Sequence, residues 1–379
     1  MRLPPPSARF LTLSVREPAA RSLPELRASA AAVTNWAATV RLAVAHGIAG
    51  FAWQAAREAG DVVPPRAGSS LHRHALDASA QSMACDAALA RIAPRLAAAG
   101  LPLIVLKGPA LAECVYPSAA LRPYRDVDLL VRRGDESRAA RLLVDAGLVE
   151  LADSGRAKHT AHADQIPQAS SFHRIFLLEQ QRQVIELHVD ALQLGLRPRC
   201  EGERWRRAQP LPRLHGVLML CPEDQLVQLA VHAHKHGFER LIWIKDLDLL
   251  VRRYGASLNW DLVQGTARAE GVLASIWYSL ALTAALLGTP MPAGMLRAMQ
   301  PSALVRALYR ACWPATEIAH LQGKRHLRAL QFRPADPLRG TLPSLVLMGR
   351  RQDRLRAALR TQSLRIGLGR GRMVGAGGH

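Results

Sequence analysis

The chain has 379 residues, of which 49% are hydrophobic and 21% charged, a balance that suits two or three folded domains and excludes a disordered protein. The formal charge of +20 indicates either an anionic partner, such as a nucleotide or nucleic acid, or a solvated basic surface. Five scattered cysteines, no secretory signal and no apolar run of the ~20 residues that span a bilayer predict a cytoplasmic protein without a disulfide framework.

The N-terminal quarter of the chain is predicted to be helical. Residues 1–22 mix prolines with arginines, and we expect them to form a flexible arm. Over residues 23–99, alanine and leucine recur at spacings of three and four. This pattern predicts an N-terminal helical region with breaks at Gly60 and Pro64.

An α/β core is predicted over residues 100–200, between the N-terminal region and a C-terminal helical domain over 215–365 that begins near Pro222. Residues 366–379 are glycine-rich and are expected to form a flexible tail. The fold class is therefore α+β, with a small mixed β-sheet flanked by helices. The predicted core elements are a strand at Leu103–Leu106, a helix at 109–115, a strand at 126–131, a helix at 135–146 and a hairpin of 172–178 with 183–189.

Three carboxylates in this core predict a metal site. Because residues i and i+2 of a strand point to one face, Asp126 and Asp128 project together while Val127 faces the core. Glu186 stands between aliphatic residues on a later strand. Neighbouring carboxylates repel each other unless a cation lies between them, and oxygen ligands suit Mg²⁺ or Mn²⁺. A lone DxD is also common in surface loops, and the alternation around Glu186 is also typical of a half-exposed edge strand.

The segment Lys107–Gly108 lies where a strand ends and a helix begins. A glycine at such a turn lets the backbone approach a phosphate, and a lysine adds a positive charge. The same residues also form ordinary strand-to-helix turns. Arg122, just before the second strand, either pairs with a phosphate or neutralises the carboxylates.

Residues 106–131, LKGPALAECVYPSAALRPYRDVDLLV, resemble the nucleotidyltransferase superfamily with the DNA polymerase β-type catalytic fold. More narrowly, they are similar to the bacterial family of uncharacterised nucleotidyltransferases, whose pattern runs from LKGxxL through tyrosine–proline and arginine to DxDLLV. Later parts of that pattern are an ELH strand, here 186–188, and spaced histidines before a tryptophan–aspartate segment, here within 232–246. The chain departs from the family pattern at two positions. Pro109 follows the glycine where Ser or Gly is usual in the superfamily, which bears on the geometry of nucleotide binding. Val189 follows ELH where the narrow family often has tryptophan.

The resemblance implies a two-metal site in which Asp126 and Asp128 bind both ions and Glu186 completes the one that activates an acceptor hydroxyl. An NTP would be attacked at its α-phosphate, and pyrophosphate would leave. The expected partners are an NTP and an unidentified, possibly anionic acceptor, with nucleic acid as one candidate. The acceptor stays open among small molecules, saccharides, peptides or proteins, and RNA.

The helix after Pro222 carries the second group of candidate residues. His232 and His236 are four apart and share a face, whereas His234 and Lys235 point elsewhere. Three interpretations stay open for this group: a metal pair, which lacks an HExxH motif; a cleft wall that contacts triphosphate or base; or a polar helix face. The predicted nucleotide-binding residues are Lys107, Gly108, Arg122, His188, His232, Lys235, His236 and Asp246.

Three functions are compatible with these patterns. The first is a metal-dependent nucleotidyltransferase, which the presence of all three carboxylates favours. The second is a non-catalytic relative that binds nucleotide or nucleic acid. The third is a toxin-like enzyme that modifies tRNA, because abortive-infection toxin nucleotidyltransferases place a lysine and a later aspartate over the nucleotide, as Lys235 and Asp246 are spaced here.

Overall fold

A computed structural model describes residues 5–151, 173–178, 183–194 and 199–312. Within these ranges, helices precede and follow a mixed β-sheet, which confirms the predicted α+β class. The predicted tail and the C-terminal domain beyond residue 312 lie outside the described residues. None of the described helices is both long and apolar enough to cross a bilayer.

The N-terminal region is helical from its first turn, so the expectation of a flexible arm is wrong for residues 6–15. Pro6 suits the first turn of a helix, and the apolar residues that follow supply a buried face. Phe10 is fully buried and meets Trp36 edge to face, with ring centroids 5.2 Å apart. The N-terminal helices are α1 (Pro6–Val15), α2 (Leu23–Ala31), α3 (Trp36–Ala45), α4 (Ala49–Ala59) and α5 (Pro65–Ala98).

The core elements follow the predicted order. The strands are β1 (Leu103–Leu106), β2 (Asp126–Leu130), β3 (Val149–Glu150), β4 (His173–Leu178), β5 (Gln183–His188), β6 (Gln209–Pro210) and β7 (Val217–Met219). The intervening helices are α6 (Gly108–Cys114), α7 (Glu136–Asp145) and α8 (Glu201–Arg207). In the described residues the strands join in the order β3–β4–β5–β2–β1–β7–β6. Because β7 pairs parallel to β1, the sheet extends beyond the predicted core boundary at residue 200.

The helices after the sheet do not form a separate core. They are α9 (Pro222–Lys235), α10 (Leu241–Tyr254), α11 (Trp260–Ala269), α12 (Leu273–Leu287), α13 (Met295–Ala298) and α14 (Ala303–Cys312). Buried residues of α1–α4 and of α9–α12 belong to one hydrophobic cluster. A second cluster joins α5 and α7 to one face of the sheet, through Val127, Leu129, Ile185 and Leu187. The opposite face carries the polar residues of β2 and β5 and a third, smaller cluster that includes Ile104, Leu106 and Leu130.

Truncating α1 should reveal its contribution to stability. We expect Phe10→Ala to cost about 3–5 kcal/mol of unfolding free energy, because the substitution leaves a cavity in the shared helical core. Arg9→Ala, on the exposed side of the same helix, should change it by less than about 1 kcal/mol. Urea denaturation followed by circular dichroism measures both. Equal effects of the two substitutions would mean that α1 does not dock in solution.

Candidate active site

A cleft of about 500 Å³ lies between the N-terminal helices, the polar face of the sheet and the first C-terminal helices. Pockets of this size hold nucleotide-sized ligands. Its lining includes many of the predicted site residues: Lys107, Gly108, Arg122, Asp126, Asp128, Glu186, His232, Lys235 and His236. Two predicted residues, His188 and Asp246, do not line it and lie behind its surface.

The register of two central strands brings the carboxylates together. Strand β2 pairs parallel to β5, with Asp128 directly beside Glu186. Neighbours in register share a face, so both carboxylates lie opposite the buried aliphatic residues that flank them. Strand β1 pairs on the other side of β2, where Leu106 is opposite Asp128. This pairing brings Lys107, at the end of β1, to the same place.

Asp128 is held as an anion by two neighbours. Lys107 Nζ lies 3.0 Å from Asp128 Oδ1, and His188 Nε2 donates to the same oxygen at 2.9 Å. Burial by itself favours the neutral acid, but Lys107 and His188 outweigh it and hold the pKa of Asp128 well below its usual range. His188 also lies 3.4 Å from Glu186 Oε2. Burial opposes the charge of the imidazole, yet these carboxylate bonds raise the pKa of His188.

Asp126 stands beside this group rather than inside it. Partial removal from water by the cleft walls, and then the negative charge of Asp128, raise the pKa of Asp126, and Glu186 adds to the repulsion. Among the described residues, ligand atoms within 4.8 Å of one another come from Asp128, Glu186 and His188. The three predicted carboxylates lie on one face of the sheet. His188, which was predicted from the sequence to bind nucleotide, is the most deeply buried residue of the cluster with Asp128 and Glu186.

The turn after β1 has an unusual backbone. Lys107 has φ +51°, a conformation that costs energy in a residue other than glycine and is often found at functional sites. At Gly108, a Cβ atom would lie 2.8 Å from the ring of Tyr124. Only glycine allows this close approach, which brings the start of α6 against the segment that leads into β2.

Gln193 is a cleft residue that the sequence did not single out. Its backbone has φ +53°, and the Asp190 carboxylate fixes this turn by accepting hydrogen bonds from the amides on either side. The Gln193 amide nitrogen lies 3.3 Å from His188 Nδ1, and its oxygen accepts a bond of 2.8 Å from Lys235 Nζ. Gln193 therefore connects the carboxylate cluster to α9, and no residue pattern could have indicated it.

Lys235 lines the cleft, contrary to the expectation that it points away from His232 and His236. The three residues are spaced i, i+3 and i+4, which places them on one side of α9. His234 faces the core, where its ring nitrogen bonds Ser275 Oγ at 2.8 Å. Burial, followed by the positive charge of Lys107, lowers the pKa of Lys235 to about 8.

Arg122 and Asp246, both predicted to contact the nucleotide, form a buried ion pair with each other. Arg122 donates Nε and Nη2 to the two oxygens of Asp246, at 2.6 and 2.8 Å, and Tyr116 donates to Asp246 at 2.6 Å. Asp246 is fully buried. Both edges of the carboxylate are occupied, and a phosphate would have to displace Asp246 to use the Arg122 fork. The pair joins the segment before β2 to α10.

Comparison with known families agrees with this geometry. The family model described as "Uncharacterised nucleotidyltransferase" matches residues 32–288, well over half of the chain. The chain belongs to this family. The match spans the N-terminal helices, the sheet and the helices up to α12, so it includes every residue of the cleft named above. No curated protein shows significant similarity to the chain.

Chemical labelling of lysines tests the environment of Lys235. An amine with a pKa near 8 is half neutral at pH 8, whereas an ordinary lysine, with a pKa of about 10.4, is almost entirely charged. We therefore expect the acetylation rate of Lys235, followed by mass spectrometry, to rise with a midpoint near pH 8. Lys245, which is buried between Asp248 and Glu17, serves as an unreactive internal control. A midpoint above pH 10 would contradict the proposed environment.

Removing one charge of the buried pair should destabilise the fold. Asp246→Asn leaves the buried Arg122 guanidinium without its counter-charge, and we expect a loss of about 3–5 kcal/mol in the free energy of unfolding. Glu25→Gln removes the partner of Arg9 in an exposed pair at 3.4 Å and should leave the unfolding midpoint unchanged within error. If Asp246→Asn unfolds at the same urea concentration as the wild type, the Arg122–Asp246 pair does not stabilise the packing of α10.

Proposed function

We propose that the chain is a metal-dependent nucleotidyltransferase that transfers an NMP from an NTP to an acceptor hydroxyl or phosphate and releases pyrophosphate. The observation that carries the proposal is the in-register pairing of Asp128 with Glu186, beside Asp126, on the floor of the cleft. Family membership supports nucleotidyl transfer as the general chemistry. The acceptor class stays open among small molecules, saccharides, peptides or proteins, and RNA.

The carboxylates fit a divalent cation such as Mg²⁺ or Mn²⁺. Burial, and then the negative charge of Asp128, raise the pKa of Asp126, and a bound cation relieves such repulsion between carboxylates. Asp126, Asp128 and Glu186 would supply oxygen ligands, and His188 would orient Asp128 through its hydrogen bond. When bound, the cation would stabilise negative charge on the reacting phosphate.

Two lysines of the cleft are suited to the triphosphate. Lys107 and Lys235 both line the cleft, one at the end of β1 against Asp128 and the other at the end of α9, where it bonds Gln193. Their ammonium groups would offset the charge of the phosphates, and the backbone amide of Gly108, which lines the cleft, would be a further donor. The Lys107 side chain already contacts the cluster, with Nζ 3.0 Å from Asp128 Oδ1.

The reaction forms a bond between an acceptor oxygen and the α-phosphorus, while the bond from that phosphorus to the bridging oxygen breaks. Pyrophosphate leaves with the electron pair, and with a hydroxyl acceptor the proton passes to a base. Glu186 is half-buried, faces the cleft and would take this proton. The toxin-like alternative has less support, because Asp246 is buried against Arg122 rather than open to a nucleotide.

A transfer assay tests the proposal. Purified protein would be incubated with each α-³²P-NTP, Mg²⁺ or Mn²⁺, and a cell extract as the source of acceptors. We expect labelled product and pyrophosphate with the wild type and a loss of about a hundredfold or more with Asp128→Asn, because that carboxylate lies at the centre of the cluster. Asp77→Asn is the matched control, since Asp77 lines the same cleft from α5 but does not belong to the carboxylate cluster of the sheet.

Transfer that persists in Asp128→Asn would show that the reaction does not use this site. Binding of NTP without transfer, under all acceptor conditions, would favour the non-catalytic alternative.

A further inference from the structure

Three aromatic side chains line one side of the cleft, and we refer to His232, His236 and Trp243 as the aromatic wall. The ring centroids of His232 and His236 are 4.6 Å apart. The indole of Trp243 lies 5.0 Å from His232 and 5.2 Å from His236. The wall is built where the end of α9 meets the start of α10, so helix packing fixes the rings relative to one another.

The aromatic wall differs from the aromatic residues of the core. His232 and Trp243 are half-buried and His236 is exposed, so their rings present surface to the cleft. His234, on the other side of α9, is fully enclosed and bonded to Ser275. The three rings of the wall therefore combine mutual packing with a surface that a ligand in the cleft can reach.

The wall carries no charge at neutral pH. Burial, and then the positive charge of Lys107, lower the pKa of His232 well below its usual value. Burial and the positive charge of Lys235 lower that of His236 to about 4. Neutral imidazoles attract a triphosphate less strongly than the ammonium groups of Lys107 and Lys235 do. Their ring nitrogens make no hydrogen bond to other residues in the described part of the chain and can bond a ligand.

Arg240 lies at one edge of the aromatic wall, against Trp243. Its guanidinium carbon lies 5.7 Å from the centroid of the Trp243 ring, within the range of a cation–π contact. A Cβ atom at Gly47 would lie 2.6 Å from the Arg240 side chain, so the glycine makes room for this arginine. Arg240 also lines the cleft, so it packs against the indole beside the wall.

We infer that the aromatic wall binds the nucleobase of the NTP, with the planar base packed against His232, His236 and Trp243 while the triphosphate reaches Lys107 and Lys235. The inference rests on the proposed function, and it assigns the neutral and the charged parts of the cleft to the two ends of one nucleotide. Base-on-aromatic packing contributes on the order of 1–3 kcal/mol per base in nucleic-acid binding proteins.

Comparing a nucleotide with its phosphate chain alone tests the inference. Affinities of the wild type, Trp243→Ala and Trp243→Phe for each NTP and for inorganic tripolyphosphate would be measured by calorimetry with Mg²⁺ present. We expect Trp243→Ala to weaken NTP binding roughly 5- to 100-fold and to leave tripolyphosphate binding unchanged, because only the base contact is lost. Trp243→Phe should keep most of the NTP affinity.

Trp53→Ala is the matched control. Trp53 is also half-buried and stacks on a histidine, His72, at 4.2 Å, but it lies outside the cleft lining. It should leave both affinities unchanged.

Two results would overturn the inference. NTP affinity that survives in Trp243→Ala would exclude the wall from base binding, and an equal loss for NTP and tripolyphosphate would assign it to phosphate or to the fold. A wild type that binds neither ligand would instead overturn the proposed function, and the inference with it.

Discussion

The parallel register of β2 against β5 is the constraint on which the candidate site depends. It places Asp128 beside Glu186 while Val127, Leu129, Ile185 and Leu187 enter the core on the opposite face. Because side chains alternate along a strand, a slip of one residue would move the carboxylates into the hydrophobic cluster and expose the aliphatic residues. Burial of the aliphatic face therefore fixes the position of the acidic one.

The acidic face is stabilised by a small network of charges. Lys107 and His188 both contact Asp128 Oδ1, so the least accessible carboxylate is also the best compensated. Asp126 makes no such contact among the described residues, and burial, followed by the negative charge of Asp128, raises its pKa. Gln193 extends the network to Lys235 on α9. The sheet and the C-terminal helices are in this way joined through the polar groups of the cleft, as well as through apolar packing.

The walls of the cleft come from segments far apart in the chain, and buried contacts hold them in place. The N-terminal helices share a hydrophobic cluster with α9–α12, so the cleft is built between parts of one core. The Arg122–Asp246 pair, with Tyr116, ties the entry to β2 to α10. Trp243, one turn before Asp246 on the same helix, consequently faces the cleft. A buried ion pair thus positions the aromatic wall that we assign to the base.

The sequence by itself determined the four strands β1, β2, β4 and β5, the face on which Asp126, Asp128 and Glu186 lie, and the shared side of His232 and His236. The short strands β3, β6 and β7 were not predicted. Periods of two and 3.6 residues are local properties, so they can be read without knowing the fold. Family motifs around Lys107 and the DxD strand added the expected chemistry, and the family match confirmed that the chain belongs to this family.

Only the tertiary structure decided the partners of each polar group. Arg122 and Asp246 are 124 positions apart, and nothing local indicates that they neutralise each other in place of binding a nucleotide. The sequence predicts an arm where helix α1 lies, because the proline-rich start masks a face that becomes buried only against distant helices. Gln193 lines the cleft because a strained turn places it there, and Trp243 lines it because α10 packs against α9. Long-range packing selects such contacts, whereas periodicity reports only which side of an element is buried.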